Sequence, residues 1–279
     1  MWEVEIPSMA FNSEVVLNSL LGISAWHLWA VSPNDQKMKF ISRYYFGEAI
    51  RLQRAALEYQ DTQQLKPAFI AGIILAHHSW LLSDTDSYSS QLQLGTFYLC
   101  NGYRTLGKKL SPAWAEYACL GEVNPQNIRL ESMKCEKLVE EGMQDSNYIL
   151  QLTQNMDIDE KLQAVYCKVI EELSSLYDLV ASGNNDISIK EYVVVSFLHR
   201  VPLSFIKLLQ HQEPLAMGLL ARVWALLAPI HKVSTSWYIH GAGKYRVYTY
   251  AIVNIGNLMP GNWAWIMNWP LRIISDYGT

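Results

Sequence analysis

Three side chains able to donate or accept a proton, His240, Lys244 and Tyr245, stand close together around Gly241-Ala242-Gly243. An imidazole or phenol held at such a place can polarise a carbonyl or assist loss of water. The glycines have a structural role first, because they permit a turn or a close backbone approach. Trp237-Tyr238 lies just upstream and Trp263-Ala264-Trp265 just downstream, so the donors are bracketed by aromatic surface. From Val247 to Leu271 no residue is charged, yet Asn254, Asn257, Pro260, Gly261, Asn262 and Asn268 interrupt the apolar run. A bilayer-spanning helix needs about 20 predominantly apolar residues, which this stretch does not supply. Its three tryptophans, Trp263, Trp265 and Trp269, are therefore expected to be buried, each with one N–H that needs a partner. His240, Tyr245 and Lys244 are the candidate catalytic residues. Trp26, His27, Trp80, Trp237, Tyr238, Trp263 and Trp265 are the candidate substrate-binding residues.

Other chemistries fit poorly. Gly22-Ile23-Ser24-Ala25-Trp26 lacks the second glycine of a nucleophile elbow. Gly241-Ala242-Gly243-Lys244 is too short for a phosphate loop. His77 and His78 are adjacent on a helical stretch, about 100° apart, and cannot chelate one ion together. Asp157-Ile158-Asp159-Glu160 and Asn185-Asp186-Ile187-Ser188 only approach the carboxylate motifs that hold Mg²⁺ against a diphosphate. The first of them suits a helix start, where acidic residues favour the dipole. Neither a metal nor a cofactor is expected.

Composition bounds the partners. Half of the 279 residues are hydrophobic, and no Pro/Ser/Gly-rich linker divides them, so residues 1–279 are expected to form one domain. A net charge of −4 and only short basic spots, Lys37/Lys39 and Lys108/Lys109, argue against direct nucleic-acid binding. Cys100, Cys119, Cys135 and Cys167 contain no C-x-x-C pair. With no signal peptide, a reducing setting is expected, cytoplasmic or, for a regulator, nuclear. No membrane span is expected, and a homodimer is open.

The elements that must position these residues are helical nearly throughout. Ser13 caps a helix from Glu14 to about Ala30, stopped by Ser32-Pro33, and its apolar residues cover so much of its circumference that both sides should be packed. A second helix spans about Gln36 to Tyr59 with Arg43, Glu48, Arg51 and Arg54 outward. Pro67 at a first helical position opens a third, to Leu82, apolar all round and hence central. Further helices run from Asp157 to Ala181, from Ile187 to His211 with a kink or break at Pro202, and from Glu213 to Ile230. The fold class is all-α, a multi-helix domain enclosing a hydrophobic pocket.

Several segments together carry a family resemblance: Trp237 to Lys244 with the closing Trp269-Pro270, Leu20-Leu21-Gly22-Ile23-Ser24-Ala25-Trp26-His27-Leu28, Tyr44 with Ala49 and Ala55-Ala56-Leu57, and Pro214-Leu215-Ala216. In order and spacing the chain resembles the C-terminal ligand-binding domain of fungal zinc-cluster transcription regulators of the sterol-uptake type. That resemblance implies a sterol-sized apolar pocket between helices, with His27, His240, Lys244 and Tyr245 as orienting polar groups. The six-cysteine zinc cluster of those regulators is missing, which leads to the expectation of a natural chain without a DNA-binding module. Ten Trp, 16 Tyr and nine Met suit an irregular apolar guest, although any one of them is ordinary core material. Two functions compete. One is a cofactor-independent enzyme that folds a bulky terpenoid- or polyketide-like substrate for cyclisation, a hetero-Diels–Alder-type step with or without dehydration, as cofactor-free pericyclases of fungal secondary metabolism do. The other is a non-catalytic sterol- or terpenoid-binding regulatory domain. A plain dimerisation module would instead show an exposed apolar helix face.

Overall fold

The computed structural model describes residues 4–32, 34–59, 62–81, 136–181, 200–231 and 247–277, with Leu99, Gly102, Leu106, Val194 and Phe197 as isolated positions. The chain is all-α, and no strand occurs among the described residues. They fall into two compact units, one holding the helices up to Leu81 and the other those from Glu136 onward.

The first unit contains α1 (Glu5–Ala10), α2 (Glu14–Val31), α3 (Gln36–Tyr59) and α4 (Thr62–Leu81). α2 and α3 are its most extensively packed pair, and both also pack on α4. α3 sinks one clean stripe, Lys39, Ser42, Phe46, Ala49 and Gln53, at the 3–4 spacing of a helix face. Arg43, Arg51 and Arg54 stay in solvent as the periodicity predicts, with Glu48 half-buried beside them. α4 is buried on every side from Ala68 through Ala76, which makes it the central helix its all-round apolar sequence demands. Its start differs from expectation. The helix begins at Thr62, so Pro67 lies inside it and not at its first turn. The missing Pro67 donor leaves the Gln63 carbonyl without its helical partner, a cost the packing of α4 must outweigh.

α2 begins at Glu14 as expected, with Ser13 in extended conformation at its N-cap, but the Ser13 hydroxyl makes no capping bond. The expectation that α2 packs on both sides is corrected. Leu17, Leu21, Leu28 and Val31 are exposed, while Val15, Val16, Ser19, Gly22, Ala25, Trp26 and Trp29 are buried. An apolar circumference says that a helix can be buried, whereas the neighbours decide which side is. By length and composition α2 is the one single helix among the described residues that could cross a membrane; Leu203–Gln210 with Pro214–Ile230 passes only if the pair, bent by 108°, is counted as one span.

The second unit contains α5 (Glu136–Asn155), α6 (Glu160–Ala181), α7 (Leu203–Gln210), α8 (Pro214–Ala225), α9 (Leu227–His231), α10 (Val247–Leu258), a 3₁₀ helix (Gly261–Met267) and α11 (Asn268–Tyr277). α8 is its axis: every residue from Leu215 to Val223 is buried, against α6, α7, α10, α11 and the 3₁₀ helix. Pro202 sits at the N-cap of α7, so the expected break is present. α6 starts at Glu160 and not at Asp157, because Asp159 Oδ1 accepts the Leu162 N–H at 2.8 Å and closes the helix end. Trp269-Pro270, expected to close the helical stretch, instead lies in the first turn of α11, where a proline lacks nothing the helix needs.

Candidate functional site

Among the described residues of the first unit, the one buried imidazole, His78, is built into an aromatic nest. His78 lies on α4, two residues beyond its fully buried stretch, and must therefore find its partners on neighbouring helices. Ser42 of α3 supplies one: its Oγ stands 3.0 Å from His78 Nε2 and 2.8 Å from the Gly22 carbonyl of α2. The carbonyl can only accept, so the single hydroxyl proton of Ser42 goes to Gly22. Nε2 must then carry hydrogen and donate to Ser42 Oγ. Nδ1 is left as a buried acceptor without a protein partner. The imidazole stacks on Phe46 at an interplanar angle of 15° and meets Trp26 edge-on at 5.3 Å. Trp26 in turn lies 4.6 Å from Trp29, over which the Lys39 ammonium sits at 4.9 Å.

This arrangement has the parts of a nucleophile–base dyad but runs the wrong way. A general base must present a lone pair to the serine hydroxyl, and here His78 presents a proton. Burial pushes its pKa from the ordinary 6.5 down to about 2, so it is neutral across the physiological range. Ser42 and His78 thus staple three helices together through a polar chain ending on backbone. Gly22 is needed for the approach, since a Cβ there would stand 2.7 Å from the Phe46 ring. Trp26 joins this nest; His27, one residue round the helix, is half-buried on its flank.

In the second unit Trp263 and Trp265 leave the core that the sequence assigned them. Trp269 is buried, but these two are half-buried, because the 3₁₀ helix sends Ile266 and Met267 inward in their place. Their rings lie 5.9 Å apart at 26°, and Tyr148 of α5, 52% exposed, meets Trp265 edge-on at 5.8 Å. The result is a three-ring aromatic face open to solvent.

Arg222 fixes the base of that face. It is the only charge in the run from Pro214 to Ile230 and is 1% exposed. Its Nε and Nη2 bind both oxygens of Asp145 on α5, the Nη2 contact at 2.9 Å. Nη1 donates to the Gly218 carbonyl at 2.8 Å and to that of Ile266 at 3.0 Å. One guanidinium therefore joins α5, α8 and the 3₁₀ helix, the elements that carry Tyr148, Trp263 and Trp265. Beside it, the Tyr177 ring of α6 covers Gly142 and meets Trp269 edge-on at 5.4 Å. Burial drives the Tyr177 phenol upward first, with Asp145 adding to the effect and Arg222 opposing it. Ser146 is close enough to favour its phenolate slightly, yet Tyr177 Oη and Ser146 Oγ make no well-formed hydrogen bond.

Asp145, Arg222, Ser42 and His78 were not among the residues singled out from sequence for a site. A signal existed for one: a lone arginine in an apolar helix has to be paired. Among the sequence candidates, His240, Lys244, Tyr245, Trp237 and Tyr238 lie outside the described residues, as does the side chain of Trp80. Trp26 and His27 belong to the first unit, Trp263 and Trp265 to the second. Cys167 is a free, half-buried thiol. Among the described residues no three His, Cys, Asp or Glu side chains gather closely enough to hold a metal ion.

These features define an all-helical protein with an aromatic nest in one unit and an open aromatic face in the other. Comparison of the chain with family models, curated proteins and solved structures finds no match in any of the three.

Proposed function

We propose that this chain binds a bulky apolar molecule of terpenoid or polyketide type and promotes its cyclisation without a cofactor. The observation that carries the reading is the Trp263–Trp265–Tyr148 face, three large rings held half in solvent on a base locked by Arg222. Aromatic surface left open on a rigid scaffold offers an apolar guest contact area at little entropic cost. The stretch that carries both tryptophans has no ionised side chain to desolvate. A hetero-Diels–Alder-type step suits such a site, because it is balanced within the substrate: three π bonds become two σ bonds and one π bond. The protein has only to hold the reacting ends at contact distance, which can supply a large part of the rate. His240, Lys244 and Tyr245, which lie outside the described residues, stay the sequence candidates for polarising a carbonyl or assisting loss of water.

A second reading, a non-catalytic sterol- or terpenoid-binding regulatory domain on the regulator fold, has its own support. His78 and Ser42 bond to each other and to backbone, so the described buried dyad serves packing and offers no reacting centre.

Incubating the purified protein with an organic extract of its source, followed by mass spectrometry of bound and free fractions, tests both. The enzyme predicts a new product that grows with time and is slowed in Trp265→Ala and His240→Ala. The regulatory domain predicts an apolar compound retained near stoichiometry and recovered unchanged. If neither product nor retention is seen and Trp265→Ala behaves as the parent, both readings fail.

A further inference from the structure

α2 has a second face that packing within its unit does not use. Leu17, Leu21, Ser24, Leu28 and Val31 follow one another at spacings of four, three, four and three residues, and all five are exposed. The four apolar members are 40%, 37%, 55% and 69% exposed. An average step of 3.5 residues is the seam of a coiled coil, which is read by another helix and by little else. Single exposed leucines are ordinary on soluble proteins. Four at seam positions along one helix are not, and nine of the twelve large hydrophobics exposed among the described residues belong to this unit.

We propose that two copies of this chain associate through α2, seam against seam about a two-fold axis. The charges favour a second copy over other occupants. The positions flanking the seam are Asn18, Leu20, Ala25 and His27, and the only carboxylate on the helix is Glu14 at its first turn. Nothing along the flank repels an identical helix, and nothing on it would select a charged partner by attraction. A membrane surface fits less well. Helices that lie in an anionic interface carry Lys and Arg beside their apolar face, and α2 has neither. The opposite side of α2 is committed to α3 and α4, which a lipid-spanning helix would have to abandon.

The area is sufficient but modest. Eighteen residues make a helix of about 27 Å. Pairing two such helices removes on the order of 1,000 Å² in total, the lower edge of specific interfaces. Self-association is therefore reversible, in the micromolar range, and this inference does not depend on what the chain binds.

The test is sedimentation of the whole protein across micromolar concentrations, beside a Leu21→Glu/Leu28→Glu double variant and a Leu203→Glu control in the other unit. The expected result is a concentration-dependent dimer in the parent and the control, weakened at least about a hundredfold in the double variant. Helix content by circular dichroism should be unchanged in all three. If the double variant does not fold, Leu28→Lys/Val31→Lys replaces it, since cations near a helix C-terminus favour the dipole. A parent that stays monomeric overturns the proposal, and so does a dimer that survives the seam variants. A parent that remains monomeric but floats with uncharged phosphatidylcholine vesicles would assign the face to lipid instead.

Discussion

Acidification from pH 7 to pH 5 is expected to remove about 2 kcal/mol of stability through one side chain, His78. Burial alone lowers its pKa from 6.5 to about 2; no charged group contributes, and its described contacts are Ser42, Phe46 and Trp26. The folded state holds the imidazole neutral, whereas the unfolded chain takes a proton as pH falls through 6.5. His78 therefore costs nothing above pH 6.5. Below it, stability is lost at about 1.4 kcal/mol per pH unit, and the loss ends only near the folded pKa. Against a typical total of about 5–15 kcal/mol, the loss by pH 4 is a large share. The assay is urea unfolding at pH 7 and pH 5 of the parent and of His78→Gln, whose amide keeps an N–H toward Ser42 but does not titrate. Contributions from other groups cancel in the double difference, leaving His78. Equal losses in the two proteins would refute the reasoning. So would His78 ring protons that titrate near pH 6.5 in the folded parent by NMR, a measurement that stands even if the variant fails to fold.

Asp145→Ala should cost about 3–5 kcal/mol in chemical denaturation, because it strands a buried guanidinium. Arg222→Met/Asp145→Ala together should cost less than the sum of the two single changes, and near-UV circular dichroism should report a loosened Trp263–Trp265 pair. Gly22→Ala should destabilise by about 1–3 kcal/mol by forcing Phe46 aside. Gly47→Ala, exposed in the middle of α3 with open space around it, should stabilise by roughly 0.5–1 kcal/mol, both read from thermal melts. Burial and Glu213 push Tyr166 up to about 12, so stability should fall as pH rises above 10 and unfolded tyrosines ionise first. Ultraviolet absorbance of tyrosinate during an alkaline titration follows that loss.

The helices that were legible in the sequence are those with a charged outer face or an apolar circumference. α3 from Gln36 to Tyr59, α4 as a central helix and the break at Pro202 are set by periodicity, all-round hydrophobicity and a missing N–H, properties a segment has before it meets any other. α5 was not read from the sequence; it buries Leu138, Gly142, Ser146, Ile149 and Thr153 in a regular stripe, three of them small or polar. Gly142 is small because the Tyr177 ring of α6 lies on it, a fact about α6 that α5 cannot encode. The same limit governs the sites. Sequence placed aromatic residues near the chain's end but assigned all three tryptophans to the core, and the depth of Trp263 and Trp265 is set by how Gly218 and Arg222 of α8 receive Ile266. It showed that an arginine stood in an apolar helix, but not that Asp145, 77 residues away, would meet it. Residues three or four apart are neighbours on any helix, so faces and ends follow from the chain itself. Which face is covered, which histidine is neutral and which charge is paired depend on groups far off in sequence, and only packing brings those within reach.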